Sequence, residues 1–240
     1  MPFNESKFIQ NEQTSSKLNF FEIEAGESKK VKVIEGSIAD SQEESIFFLN
    51  LETNEFPAPG PVFEKLLDKD SELKENNGSG DTINELVLNA AKNIKGANMI
   101  EVEDDFSGTK YEKAVFDPKP YAVTEVDVSS ANWPKLRTLF FGNIGSDEEG
   151  VLVRIWKPTD EQTLKLKQEL KLLFDNLFEE LKNKGIKSVA MPILTGNRAP
   201  SEIFYQTLSE VMKSKGLPAD LTVYAYGSED FQKGKQVLQG

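Results

Sequence analysis

Two rhythms alternate along the chain. Short, nearly uninterrupted apolar runs give way to longer stretches whose apolar residues recur at i, i+3 and i+4, which predicts strands alternating with helices. Strands are expected at Leu18–Ile23, Val31–Ile34, Ser45–Asn50, Leu136–Phe141, Val151–Trp156, Lys187–Leu194 and Leu221–Tyr226. Ala25–Ser28 forms the turn between the first two. Short strands at Met99–Glu103 and Tyr121–Val128 fall within a turn-rich stretch from Asn98 to Ser130. A helix is expected to start at Pro61, where proline suits a first turn, and to stop at Asn76–Gly80. Thr82 followed by Glu85 is a capping-box pattern, and behind it Ile83, Leu86, Val87, Ala90, Ala91 and Ile94 line one face of a helix reaching about Lys95. Thr159 with Gln162 opens the longest helix, to about Lys184, with Gly185 as its left-handed stop. A further helix spans Ser201–Ser214 and ends at Gly216, and a short closing helix follows the last strand. This alternation predicts an α/β fold, a three-layer sandwich around a mixed central sheet. Residues 1–17 are polar and aperiodic and read as a flexible arm before a single domain over 18–240.

Composition narrows the chemistry. The 240 residues include no cysteine and no histidine. That excludes disulfides, thiolate nucleophiles, Cys- or His-ligated zinc and a histidine base. No metal or cofactor is expected. Catalysis, if present, must use carboxylates, amides, hydroxyls, amines or backbone groups. A formal net charge of −12 argues against nucleic-acid partners and anionic membranes. No run approaches the apolar length that spans a bilayer, and Met1–Lys7 lacks a signal peptide's apolar region. A cytoplasmic monomer is expected, or an effector secreted into a host cell.

The segment Lys187-Ser-Val-Ala-Met-Pro-Ile-Leu194, followed by Thr195-Gly196-Asn197-Arg198-Ala199-Pro200, is the most informative. It reads as a buried strand that leaves through a small loop into a helix amino terminus, where open α/β sheets place ligands and where N–H groups favour phosphate. Two other strand-end loops join it: Gly36–Ala39, and Asn50 to Gly60 leading into the Pro61 helix. Each residue also has a purely structural reading. Gly196 suits a turn, Arg198 a solvated surface, Asn50 and Asn54 Asx turns, Ser37 a turn, Glu52 a solvated loop and Tyr226 a core or rim position.

On these segments the chain resembles the macro domain family, which binds ADP-ribose and related nucleotides. Ser188–Gly196 is similar to the family's proline-containing strand followed by Thr-Gly. Gly36-Ser37-Ile38 resembles its Gly-Asp-Ile element, and Asn50 through Val62 its asparagine-containing loop and glycine-rich turn. The resemblance covers most of residues 31–230. It departs from the family where Ser37 replaces the adenine-holding Asp and where the asparagine loop is one residue longer. It also departs where Ala58-Pro59-Gly60-Pro61 replaces a triple glycine, which removes backbone donors.

The resemblance implies ADP-ribose or an ADP-ribosylated protein as partner. Gly60, Pro61, Val62, Thr195, Gly196, Asn197 and Arg198 would hold the diphosphate. Ser37, Ile38 and Tyr226 would lie on the adenine side, and Asn50 and Asn54 would orient the distal ribose. Hydrolysis of an ADP-ribosyl linkage would use Asn54 and, as water activator, Glu52. A non-catalytic reader and an interaction scaffold remain the alternatives.

Overall fold

The computed structural model describes residues 19–25, 28–50, 55–56, 61–77, 80–103, 110–115, 119–143, 157–195 and 199–240. Its strands are β1 (Phe20–Glu24), β2 (Lys30–Glu35), β3 (Ser45–Asn50), β4 (Glu55–Phe56), β5 (Asn98–Glu103), β6 (Lys110–Val115), β7 (Val123–Asp127), β8 (Thr138–Asn143), β9 (Ser188–Pro192) and β10 (Asp220–Ala225). The helices are α1 (Pro61–Asn77), α2 (Ile83–Lys92), α3 (Asp160–Lys184), α4 (Ser201–Lys215) and α5 (Ser228–Gln239). The expected arm over 1–17 and the expected strand over 151–156 lie outside the described residues.

Seven strands form one mixed sheet in the order β1-β2-β10-β9-β3-β8-β7. The five inner strands run parallel, and β1 and β7 close the edges antiparallel. Every residue of β3 and β8 is buried, as expected of strands covered on both faces. Because successive side chains point to opposite faces, each of the five inner strands contributes to two cores. Val31, Val33, Phe47, Leu49, Phe140, Val189, Met191 and Val223 pack under α3, α4 and α5. Ile34, Ile46, Phe48, Leu139, Phe141, Ala190 and Tyr224 pack under α1 and α2. The expected three-layer sandwich is the arrangement found.

Local signals act where they were read. Thr82 accepts from Glu85 N at 3.1 Å while the Glu85 carboxylate accepts from Thr82 N at 2.7 Å. The bond from Thr82 N, then those from the Thr82 hydroxyl and Lys74, hold the Glu85 carboxyl down at about 2. Thr159 and Gln162 form the same reciprocal pair, and Gly185 takes the left-handed conformation at φ 68°. Helix α2 ends at Lys92, short of Lys95, where Asn93 N turns back to the carbonyls of Ala90 and Ala91. The closing helix, expected to be short, runs 12 residues and buries Phe231 against Phe21.

Two features depart from the simple sandwich. The 98–115 stretch does not extend the main sheet. With β4 it forms a separate three-stranded sheet, β4-β6-β5. Tyr121 belongs to no strand and sits in a turn at φ 61°, so β7 starts two residues later than the expected strand. No described helix is long and apolar enough to cross a membrane.

Candidate functional site

The parallel strands β2, β10, β9, β3 and β8 all end at one edge, so the loops read from the sequence converge there. Along that edge lie Ser37 after β2, Tyr226 after β10, Thr195 after β9, Asn50 at the end of β3 and Asn143 at the end of β8.

The ladder between β9 and β3 is the shortest in the main sheet. Their ladder pairs only Ser45 with Val189 and Ile46 with Ala190. Beyond that point β9 continues against β10 as far as the Tyr224–Pro192 pair, while β3 continues against β8 as far as the Asn50–Asn143 pair. Pro192, which lacks the N–H that a central strand requires, therefore stands where β3 has already parted from β9. The chain leaving β9 enters α4 on one face of the sheet, and the chain leaving β3 enters α1 on the other. A crevice at such a divergence is where open α/β sheets bind ligands.

Each side chain on the edge has a defined setting. Thr195 is fully buried, yet its Oγ1 has no hydrogen-bond partner among the described residues. Five residues on, Pro200 is the N-cap of α4 and offers its first turn no side-chain acceptor. First-turn N–H groups without side-chain acceptors, together with the helix dipole, favour an anion. Asn50 is fully buried and Asn143 is 1% exposed, and the Asn143 Oδ1 has no partner among the described residues. Buried polar atoms are nearly always hydrogen-bonded, so two unpartnered atoms on one edge are unusual.

Ser37 caps the short 3-10 turn Ile38–Asp40, its Oγ accepting from Ala39 N at 3.3 Å, which leaves its O–H hydrogen available to donate. Ile38 is buried beside Tyr224 in the α1/α2 core. Gly36 N donates to Ala225 O at 3.0 Å, which ties the β2 loop to the end of β10. Tyr226 follows at 76% exposure, with Lys65 Nζ 3.8 Å from its ring centroid. A hydrogen bond from Lys65, with its charge, lowers the phenol below its ordinary 10.0. This contact places the first turn of α1, with exposed Pro61 and Val62, beside the same edge. Phe63 stacks edge-on against Phe48 and Phe141, and Phe56 against Phe141, which anchors β4 and the first turn of α1 to the sheet.

The edge thus brings together Ser37, Ile38, Asn50, Pro61, Val62, Thr195 and Tyr226. Glu52, Asn54, Gly60, Gly196, Asn197 and Arg198 lie outside the described residues. Asn143 and Lys65 went unread in the sequence: Asn143 ends an otherwise apolar strand, and Lys65 is one of many helix-surface lysines. Among the described residues no cluster of carboxylates suited to a metal ion occurs. Two cavities, of about 380 and 560 Å³, lie away from this edge. One is at the opposite end of the sheet, around Glu44, Arg137 and Ser188. The other lies beside the carboxyl half of α3 and the turn before β10.

No protein-family model matches the chain, and no curated protein sequence matches it. Solved structures do. A point mutant of the Oceanobacillus iheyensis macrodomain is 13% identical with a TM-score of 0.57, over 92% of this chain and 96% of that one. Another mutant of that macrodomain, solved with ADPR, is 14% identical with a TM-score of 0.50, over 92% of this chain and 97% of that one. A Trypanosoma brucei macrodomain in complex with ADP is 10% identical with a TM-score of 0.50, over 87% of this chain and 68% of that one. At such identities the likeness speaks for architecture alone, and the architecture of this chain is the macrodomain fold.

Proposed function

We propose that the protein binds ADP-ribose, free or carried on a modified protein, in the crevice between the carboxyl ends of β3 and β9. One observation carries this reading. Beyond the last β9–β3 pair, the buried Thr195 hydroxyl, without a partner among the described residues, precedes a helix whose N-cap, Pro200, offers no side-chain acceptor. Hydroxyl and main-chain donors of that kind neutralise a diphosphate without lysine or arginine, which suits a chain of net charge −12. Tyr226 offers an exposed ring on which a base can stack. Structures sharing the fold were solved with ADPR or with ADP.

A second reading adds hydrolysis of an ADP-ribosyl linkage, with Asn54 orienting the distal ribose and Glu52 activating water. It is favoured by Asn50, which is buried at the last position of β3 and carries the chain into those residues from the crevice itself. Breaking the bond at that ribose passes through an oxocarbenium-like state, for which a positioned carboxylate and amide suffice without histidine or cysteine.

Calorimetric titration with ADP-ribose should give saturable heat and a raised melting temperature. Neither heat nor shift would end the proposal. Incubation with an ADP-ribosylated protein then separates the two readings. Release that disappears in Glu52→Ala while binding persists supports hydrolysis, and tight binding without release leaves a reader.

A further inference from the structure

We propose that Asn143, at the end of β8, is a specificity residue whose side-chain carbonyl accepts a hydrogen bond from a hydroxyl of the ribose beyond the diphosphate. It would thereby distinguish ADP-ribose from ADP. This rests on the ADP-ribose reading above and adds to it a residue to which the resemblance gives no ligand role.

The main chain around Asn143 is fully engaged. Asn143 N donates to Ala122 O at 2.9 Å, and Tyr121 N donates to Asn143 O at 3.0 Å. Tyr121 is held at φ 61°, a costly conformation for a bulky residue, by Asn176 Nδ2 donating to its carbonyl at 2.7 Å. The Tyr121 hydroxyl donates to Glu169 Oε1 at 3.2 Å. Against this pinned backbone the Asn143 side chain is the exception, buried with its Oδ1 unpartnered. The preceding residues Leu139, Phe140 and Phe141 are apolar and fully buried. An apolar side chain in place of Asn143 would satisfy the sheet and leave no orphan acceptor, so folding alone gives no reason for an amide here.

The polarity of the orphan atom selects its partner. A carboxamide oxygen only accepts, and diphosphate oxygens carry no hydrogen at neutral pH, so the partner is an O–H or N–H of the ligand. Along the edge the order is Tyr226, Thr195, Asn50, Asn143. A base stacked on Tyr226 and a diphosphate at Thr195 leave the second ribose on the β3–β8 side, and its hydroxyls are the donors that ADP lacks there.

The test compares ADP-ribose with ADP on the whole protein by calorimetry, in parallel with melting temperature. In Asn143→Leu, of similar shape, affinity for ADP-ribose should fall about tenfold, that for ADP should stay unchanged, and the unliganded protein should melt higher. Asn143→Asp keeps the acceptor and should keep the ratio of the two affinities. If Asn143→Leu fails to fold, Asn143→Val suits a strand and carries the same comparison. A ratio unchanged by removing the amide overturns the assignment while leaving ADP-ribose binding standing. Wild type that binds neither nucleotide overturns the binding reading and this one with it.

Discussion

The two ends of the central sheet treat their polar side chains in opposite ways. At the amino ends of β3, β8 and β9 the hydrogen bonds close on one another. Glu44 accepts from Lys187 N and Ser188 N, and Ser188 Oγ accepts from Glu44 N at 3.1 Å. Ser45 Oγ donates to Ser188 O at 2.8 Å, and Thr222 Oγ1 donates to Glu43 Oε1 at 2.8 Å. Arg137 donates to the Leu136 carbonyl at 3.1 Å. At the carboxyl ends, Thr195 Oγ1 and Asn143 Oδ1 are buried and unpartnered. Each such group costs about 1–3 kcal/mol relative to a satisfied one. One end is built to hold three strands in register, and the other keeps unmet hydrogen-bonding capacity that a ligand can fill. A cavity at the amino end is therefore a poorer site than its size suggests, because Glu43, Glu44, Arg137 and Ser188 in its lining already have partners.

Substitutions can break this contrast. The largest effect is expected from Thr195→Val, which keeps the shape and removes the orphan hydroxyl. Calorimetry should show affinity for ADP-ribose falling roughly tenfold to a hundredfold, the range for a hydrogen bond to a charged group, while the melting temperature holds or rises. A marked loss of stability with unchanged affinity would mean that Thr195 serves the fold alone. Glu44→Ala should do the reverse. It strips the acceptor from two main-chain N–H groups, so denaturant unfolding should show a loss of about 1–2 kcal/mol with ADP-ribose affinity unaltered. The smallest effect is spectroscopic. In Lys65→Met the Tyr226 phenol should titrate higher, back toward 10.0, when absorbance is followed through alkaline pH. The sign follows from the loss of the hydrogen bond and positive charge that favour phenolate, and no change would detach Lys65 from that ring.

How much could be read in advance depended on the range of the physics involved. The capping pairs Thr82–Glu85 and Thr159–Gln162, the Gly185 stop and the buried runs of β3 and β8 were readable because the groups concerned lie within a few residues or repeat with a fixed period. The start of α1 at Pro61 was readable for the same reason. The second sheet was not. Strand β5 showed in the alternation of Met99–Glu103, but β6 carries Glu112 and Lys113 on opposite faces, so no period marks that strand or which residues meet. Tyr121 at positive φ was equally hidden, since its conformation is imposed by Asn143 and Asn176 rather than by its own preference.

The candidate site divides along the same line. Thr195, Asn50 and Ser37 stood out because each follows a recognisable strand into a turn-forming segment. Asn143 did not, because a single polar residue closing an apolar strand reads as nothing more than a strand end. Only the β3–β8 register places it opposite Asn50, and only the packing around it shows its oxygen without a donor. The order of residues along the chain determined the layered α/β fold, the helix limits and the loops that meet at one edge, because these follow from local hydrogen bonding and from the burial of apolar faces. The strand order, the parting of β9 from β3 and the identity of the unsatisfied atoms were decided by tertiary structure, because they depend on which distant groups come within about 3 Å of one another.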